Sequence, residues 1–392
     1  MKGETKMKIF AKQIDKQTIE QINEIASSEV FKRRKIRIMP DAHAGDECVI
    51  GFTSTYNDKI IPNTIGVDIG CGVYCACLGD IDIDLEGLDN FIKNNIPAGR
   101  NVYNEPIEIN FKEYEKLICY KNIRNQNLFP LSLGTLGGGN HFIEIDIDEN
   151  NHKYLVIHTG SRNLGFQVCK YYQSFIDNQA DNIKEQKLEI IKKLKKEGRF
   201  TEIESTLKNF KPKPPKKYLT GLRMNEYLHD MYICQEYARE NRMLIADKIL
   251  AYLNIKPKDS FESVHNFISF EDNIIRKGAI LARKNEPVII PLNMRDGCIL
   301  GFGKGNRDWN CSAPHGAGRI LSRNEARREL KLDDFKKAMN GIYTTTADLS
   351  TIDESPMAYK DASLIIEAVK PTIKITNIIK PIYNFKASEE RN

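Results

Sequence analysis

The sequence predicts an α+β fold: one large domain spanning 1–392 with a basic helical insertion at 178–220. Three observations lead there. Short strand-like runs and helical runs are interleaved without the regular spacing of βαβ units. Helical periodicity continues over some eight turns from Asn225 to Asn254. Composition shifts abruptly between 178 and 220, where lysines crowd a segment ending in KPKPPKKY. The length of 392 residues admits two domains or one large elaborated one, and we read one.

The elements follow in order. Asp15 is a candidate N-cap for a helix from Lys16 to Ala26. KIRIM (35–39) and CVIGFTST (48–55) read as strands, Asn57-Asp58 marks a turn, and KIIP follows it. VDIGCGVYCACLG, between Gly66 and Gly79, joins a glycine-rich bend to a buried strand. Tyr154–His158 is a strand, followed by a loop and a helix from Leu164 to Asp177. The prolines of KPKPPKKY break any helix and predict an extended connector. Short strands return from Phe261 to Phe302. A single helix from Glu325 to Met339 precedes a region of strand and loop.

Bulk properties exclude several classes. Hydrophobic residues make up 41% and charged residues 28%, an ordinary globular balance. No run approaches the roughly 18 apolar residues of a membrane span, and the opening MKGETKMKIFAKQ has no apolar stretch of signal-peptide type. A cytoplasmic protein is the expectation. The nine cysteines are odd in number and irregular in spacing, which predicts thiols, and the absence of paired CxxC motifs excludes a four-thiolate zinc ribbon. The net charge of +5 says less than its distribution. From Lys184 to Lys217 there are 12 Lys or Arg against 5 Glu, a net of +7. Such a segment fits a solvated helical hairpin and a phosphate-attracting arm equally well.

The chemistry concentrates around the histidines. There are seven, and five fall in segments rich in glycine and small polar residues: MPDAHAGD (39–46), GTLGGGNHFIE (134–144), VIHTGSRNLG (156–165), VHNFISFE (264–271) and SAPHGAGR (312–319). His152 and His229 lie in charged or helical contexts. In VDIGCG (67–72), glycines on either side of Cys71 let the backbone turn tightly, so Asp68 and Cys71 can converge. On its own the pair reads as a turn-capping aspartate beside a core cysteine. His141, His158 and His265 each sit where a strand meets a loop, and with Asp68 and Cys71 they make five candidate ligands. That is more than one tetrahedral ion needs. A shared thiolate bridging two ions about 3.5–4 Å apart would use them all. In HGAGR (315–319) nothing bulky flanks His315, so a phosphate can approach, and Arg319 can grip it with a planar fork. An imidazole is a competent nucleophile towards phosphorus when its other nitrogen is oriented. The loop GTLGGGN can present backbone N–H groups to phosphate oxygens.

The segments MPDAHAG, GVDIGCG, LGTLGGGNHFIE, VIHTGSRNLG, VHNFI and HGAGR resemble, in the same order, the signature blocks of the RtcB RNA ligase family. MNEYLHDMYICQEYARENR (224–242), ESPMAYKD (354–361) and KPIYNFK (380–386) are weaker matches, and together the blocks span Met39 to Lys386. The resemblance implies a GTP-dependent ligase with two manganese ions held by Asp68, Cys71, His141, His158 and His265. It implies that His315 accepts GMP, and that Asn140, Glu144, Asn266, Tyr359 and Lys386 contact the guanine nucleotide. Arg162 and Arg319 would contact the terminal RNA phosphate. Asp41 and His43 lie in a matching block without an implied role. RNA with a 3′-phosphate or 2′,3′-cyclic phosphate end and RNA with a 5′-hydroxyl end would be the substrates, and the helper protein archease, which assists some members, a candidate partner. Many members carry a G-S-M-G type segment where this chain reads NMRDGCILGFGKGNRDWN (293–310), without the serine and methionine in place. The chain is also shorter than many members, and so resembles a second type linked to repair of damaged RNA as much as the tRNA-splicing type. The alternative is a metal-dependent phosphodiesterase acting on cyclic RNA ends, which would keep the ligand set but need neither His315 nor GTP.

Overall fold

The computed structural model describes residues 6–107, 111–210 and 217–388. It has the expected α+β character: mainly antiparallel sheets with helices packed around them, rather than alternating βαβ units.

The largest sheet has seven strands. In spatial order they are Pro287–Asn293, Gly297–Gly303, Ile373–Lys386, Phe142–Ile147, Lys153–Thr159, Gly72–Gly79 and Asp259–Val264. Every pairing is antiparallel. Because side chains alternate along a strand, the sheet has two distinct faces. Tyr74, Ala76, Ile143, Ile145, Leu155 and Ile157 face a core built with helix Leu85–Asn95 and the end of a long helix. Val73, Cys75, Phe142, Val156, Cys298 and Ile379 face the opposite core. Being covered on both sides explains why Gly72–Gly79 is apolar nearly throughout.

The second sheet orders Lys6–Ile9, Lys35–His43, Ile50–Thr55, Ile274–Lys277 and Asn266–Ser269. A short pairing of Ala279–Leu281 with Ser312–Pro314 sets Pro314 opposite Ala279. The chain therefore enters His315 close to His265, whose carbonyl accepts the Ala279 N–H at 3.2 Å.

The long helix runs from Gly221 to Leu253, starting four residues before the periodicity does. Tyr227, Met231, Cys234, Ala238, Ile245 and Ile249 are buried along it at spacings of three, four or seven, the stripe of a core helix. Its first half joins one core cluster with Ile69 and Leu164, and its second half joins the other with Tyr74 and Ile143. The helix thus ties the Val67–Gly72 bend to the large sheet. The first helix spans Lys16–Ser27, and Asp15 caps it by accepting the Thr18 N–H at 2.8 Å.

One expected helix is two. Instead of a single run from Glu325 to Met339, the chain forms Arg323–Glu329 and Leu332–Ala338, with Leu330 extended between them. Leu330 and Leu332 both pack on the cluster of Met294, Phe335, Met339 and Ile352. Two residues apart on a continuous helix they would point in opposite directions, so the break lets both reach one core.

The lysine-rich segment forms a helix, Gln179–Lys196, and a shorter one, Ile203–Lys208. Residues 211–216, where the sequence predicts an extended connector, lie outside the described residues. All nine cysteines are free. Among the described residues no helix is long and apolar enough to cross a membrane.

Candidate metal centre and nucleotide cavity

The sheet brings the candidate ligands together at one end. Phe142 pairs with His158, Gly72 with Thr159, and Gly72 with Val264. His141, His158, Cys71 and His265 therefore emerge side by side from four adjacent strands. The Cys71 Sγ lies 3.3 Å from His158 Nε2 and 3.5 Å from His141 Nε2. His158 Nε2 is 3.3 Å from His265 Nε2, and His141 Nε2 is 3.1 Å from Asp68 Oδ2. Cys71, His141 and His158 form a mutual cluster, with Asp68 joined through His141 and His265 through His158, and all but Asp68 are deeply buried.

The donor set fits a cation. Nδ1 of His141 lies 2.9 Å from the Leu136 carbonyl and Nδ1 of His158 lies 3.0 Å from the Asn140 carbonyl. A carbonyl can only accept, so each Nδ1 carries a proton; at His158, whose basicity burial lowers, Nε2 keeps its lone pair. The His158 lone pair and the Cys71 sulfur then face each other with only the weakly donating thiol hydrogen between them. Burial pushes the Cys71 thiol well up, and the Asp68 carboxylate adds to the push. Burial likewise drives the His158 and His265 imidazoles down, reinforced by neighbouring imidazoles, Lys386 and Arg242. Burial also raises Asp68, but the hydrogen bond and charge of His141, with help from Cys71 and Arg162, outweigh it and hold Asp68 to about 2. Burial thus favours neutral His158 and His265, and a cation at the cluster would ionise the thiol.

Side chains not singled out by the sequence hold the ligand loops. Arg242, 1% exposed, donates to the carbonyls of Gly70 at 2.8 Å and Thr159 at 3.0 Å, and to Glu262 at 2.8 Å. Asn241 beside it donates to Thr135 O and Gly160 O and accepts the Thr135 N–H at 3.0 Å. Both stand on the long helix, so one rigid element pins the bends that carry Asp68, Cys71 and His141. Gly160 is required by space: a Cβ there would overlap the Asp68 carboxylate.

The His265 ring leads from this cluster to His315, with ring centroids 4.8 Å apart. His315 Nδ1 lies 2.7 Å from Asp41 Oδ2, and the same oxygen accepts the His315 N–H at 3.1 Å. Lys360 braces the strand end that carries Asp41, donating to Ala42 O at 2.9 Å and Gln13 O at 3.1 Å. At Gly318, φ is +76° and a Cβ would collide with the Asp41 carbonyl, so only glycine lets the HGAGR turn approach this closely.

His315 opens on a cavity of about 740 Å³. Asn140, Glu144, His158, the 315–319 turn, Glu354, Tyr359 and Lys386 are among its lining residues. Glu354 organises one wall. It accepts hydrogen bonds from Lys386 Nζ at 3.3 Å, Arg319 at 3.1 Å and the Tyr359 hydroxyl, and pairs with Arg323 at 2.9 Å. Burial raises this carboxyl, but the charges of Lys386, Arg323 and Arg319 win and hold it to about 2. Lys386 also donates to the Asn140 carbonyl at 3.3 Å.

Two predicted contacts stand outside this lining. The Asn266 amide donates to Asp68 O at 3.1 Å and accepts the Gly278 N–H at 3.0 Å, so it bonds the protein's own backbone. Arg162 lies behind the glycine loop, bonded to Thr135 Oγ1 at 3.2 Å and Gly99 O at 2.9 Å. His152 and His229 pair with Asp148 and Asp230. A larger recess, about 1170 Å³, lies between helices Lys16–Ser27 and Gln179–Lys196, and no predicted site residue lines it.

Fold and site together define a candidate metalloprotein: a thiolate–imidazole–carboxylate cluster opening through one oriented histidine onto a glycine- and arginine-walled cavity. A family model described as "tRNA-splicing ligase RtcB" matches residues 21–125 and 120–387. The chain belongs to the RtcB family. It is 27% identical over 400 residues to the RNA-splicing ligase RtcB of Escherichia coli (strain K12), covering 92% of this chain and 91% of that one. To the tRNA-splicing ligase RtcB of Aeropyrum pernix it is 23% identical, covering 84% and 83%. To that of Nanoarchaeum equitans it is 26% identical, covering 84% and 83%.

Proposed function

We propose that this chain is a GTP- and manganese-dependent RNA ligase that joins RNA 3′-phosphate or 2′,3′-cyclic phosphate ends to 5′-hydroxyl ends, in RNA repair or tRNA splicing. Family membership and the relatives named as RNA-splicing ligases support the ligase class. The observation that carries the chemistry is the pairing of His315 with Asp41 beside the glycine-walled cavity.

Two manganese ions held by Asp68, Cys71, His141, His158 and His265, with Cys71 shared, would offset phosphate charge during transfer. The rest is done by the chain's own side chains. The proton on His315 Nδ1 is held by Asp41, so Nε2 carries the lone pair. Nε2 attacks the α-phosphorus of GTP, a P–N bond forms, and pyrophosphate leaves. Asp41 offsets the positive charge that grows on the ring. An RNA 3′-phosphate oxygen then attacks the same phosphorus, the P–N bond breaks, and GMP caps the RNA end. Attack by a 5′-hydroxyl on the RNA phosphate releases GMP and closes the strand. Water opens a 2′,3′-cyclic phosphate first.

Glu144, Asn140, Tyr359 and Lys386 are proposed to contact the nucleotide, with Glu144 accepting from the guanine edge. Asn266 and Arg162 belong to the machinery that positions the ligand loops, while Arg319, which lines the cavity bonded to Glu354 and the Leu321 carbonyl, is the proposed contact for the RNA phosphate. In the proposed insertion, 178–220, the helix Gln179–Lys196 exposes Lys184, Lys187, Lys192, Lys193, Lys195 and Lys196, a surface suited to an RNA backbone. The free thiols suit a reducing cytoplasm, and archease is a candidate partner.

The test is ligation of RNAs with defined ends, with and without GTP and manganese. Joining that requires all three of GTP, manganese and a 3′-phosphate supports the ligase. Opening of a cyclic phosphate without joining, and without need of GTP, would point to the phosphodiesterase instead.

A further inference from the structure

Behind Glu144 lies a second group of metal-donor side chains that the proposed reaction does not use. Glu144 and Asp146 are two residues apart on strand Phe142–Ile147 and so share its face. Cys298 comes from strand Gly297–Gly303, and ligand atoms of the three lie within 4.8 Å of one another. Asn384, directly opposite Glu144 in the sheet, donates its amide N–H to the Glu144 carboxylate.

What distinguishes this group from a structural acidic pair is its shortage of donors. Asp146 is 0% exposed, and beyond the weakly donating Cys298 thiol neither of its oxygens has a hydrogen-bond partner. The Asn384 side-chain oxygen, also 0% exposed, has none either. Buried acceptors this short of donors are costly, and positive charge would satisfy all three. The cations nearby do not supply it by contact. Lys386 bonds Asn140 and Glu354, and Lys380 bonds the Asp296 carbonyl at 2.9 Å. A thiol is a weak donor, and the surroundings are apolar: Val73, Phe142, Val156, Leu300 and Ile379 pack in the same cluster as Cys298.

We infer that Glu144, Asp146, Cys298 and Asn384 form a second cation site, separate from the Cys71 centre, for a divalent first-row transition ion. Two carboxylates, a thiolate and an amide oxygen make the mixed oxygen–sulfur set such ions take, and the ligand atoms of the first three, within 4.8 Å of one another, can draw in on one centre. Without the ion, burial pushes both carboxyls up, Asp146 to about 7. With it, both are ionised, and Glu144 becomes acceptor-only towards the cavity. This last consequence rests on the proposed guanine contact; the site itself does not.

The experiment uses the full chain loaded with cobalt(II), freed of excess ion, with metal content measured by mass spectrometry and thiolate-to-cobalt absorption recorded. Asp146→Asn and Cys298→Ser should each hold one equivalent fewer than the unsubstituted chain. In a Cys71→Ala background a thiolate–cobalt band should persist and be removed by Cys298→Ser. Should Asp146→Asn not fold, the near-isosteric Cys298→Ser carries the test alone. Equal metal content in all folded variants, with no band dependent on Cys298, overturns the inference. Neither readout involves GTP or RNA, so failure of the ligase reading would leave the result interpretable.

Discussion

One carboxylate oxygen of Asp41 fixes both the ring and the main chain of His315, 2.7 Å from Nδ1 and 3.1 Å from the backbone nitrogen, across 274 residues of sequence. A ring held this way presents a single tautomer, with its free lone pair on the far nitrogen. Asp41→Asn keeps the shape but loses the charge, and its amide can present N–H to Nδ1. GMP transfer to His315 should slow on the order of 100-fold, the scale of a lost orienting partner, while metal content stays unchanged. Single-turnover labelling beside metal analysis checks this. An unaltered rate would remove Asp41 from the chemistry.

Gly160 offers a test of the metal centre that substitutes none of its ligands. A Cβ there would overlap the Asp68 carboxylate, whose Oδ1 accepts the Ser161 N–H at 2.9 Å. Gly160→Ala should displace Asp68 and weaken manganese binding by about 10–100-fold, with little change in the circular dichroism of the fold. Titration calorimetry with manganese reads the affinity directly.

Glu354 predicts a pH signature in stability. Its carboxyl is held to about 2, against an ordinary value of 4.5. Its ionised form therefore stabilises the fold fully above pH 4.5, and that contribution is lost as pH falls towards 2. Glu354→Gln leaves Lys386, Arg319 and Arg323 facing a neutral amide and should cost on the order of 3–5 kcal/mol at neutral pH. Denaturant unfolding at a series of pH values should show the gap between the two proteins narrowing below pH 4.5. A gap independent of pH would mean that the carboxylate charge is not what holds this wall.

The lysine helix predicts a separation of binding from chemistry. Replacing Lys184, Lys187, Lys192, Lys193, Lys195 and Lys196 with glutamine should raise the Kd for RNA and flatten its salt dependence. GMP transfer to His315 should be untouched. Unchanged RNA affinity and ligation at physiological salt would rule the helix out as an RNA surface.

Much of this architecture is legible from local pattern. Alternation and apolar runs mark Lys35–His43, Ile50–Thr55 and Lys153–Thr159 because each strand has to fill a face of a covered sheet. Cys71, His141, His158 and His265 stand out because glycines and strand ends bracket them. Positioning groups leave a fainter trace. Asn241 and Arg242 sit inside an ordinary helical stripe, and only the folded helix shows that they reach the Gly70, Thr135 and Gly160 backbone. Asp41 lies in a recognisable block, but its role depends on a partner 274 residues away. Glu354 opens a weaker block, and its three cationic partners come from distant segments. The break at Leu330 is also invisible locally, because it is imposed by a core that both Leu330 and Leu332 must reach.

The most direct test is covalent. The purified chain is incubated with α-labelled GTP and manganese, then denatured and resolved. Label should remain on the protein, acid-labile as a phosphoramidate is, and should be absent from His315→Ala and from chain stripped of metal. A folded, metal-loaded protein that takes up no label, or a His315→Ala variant labelled as strongly as the unsubstituted chain, would contradict the central claim.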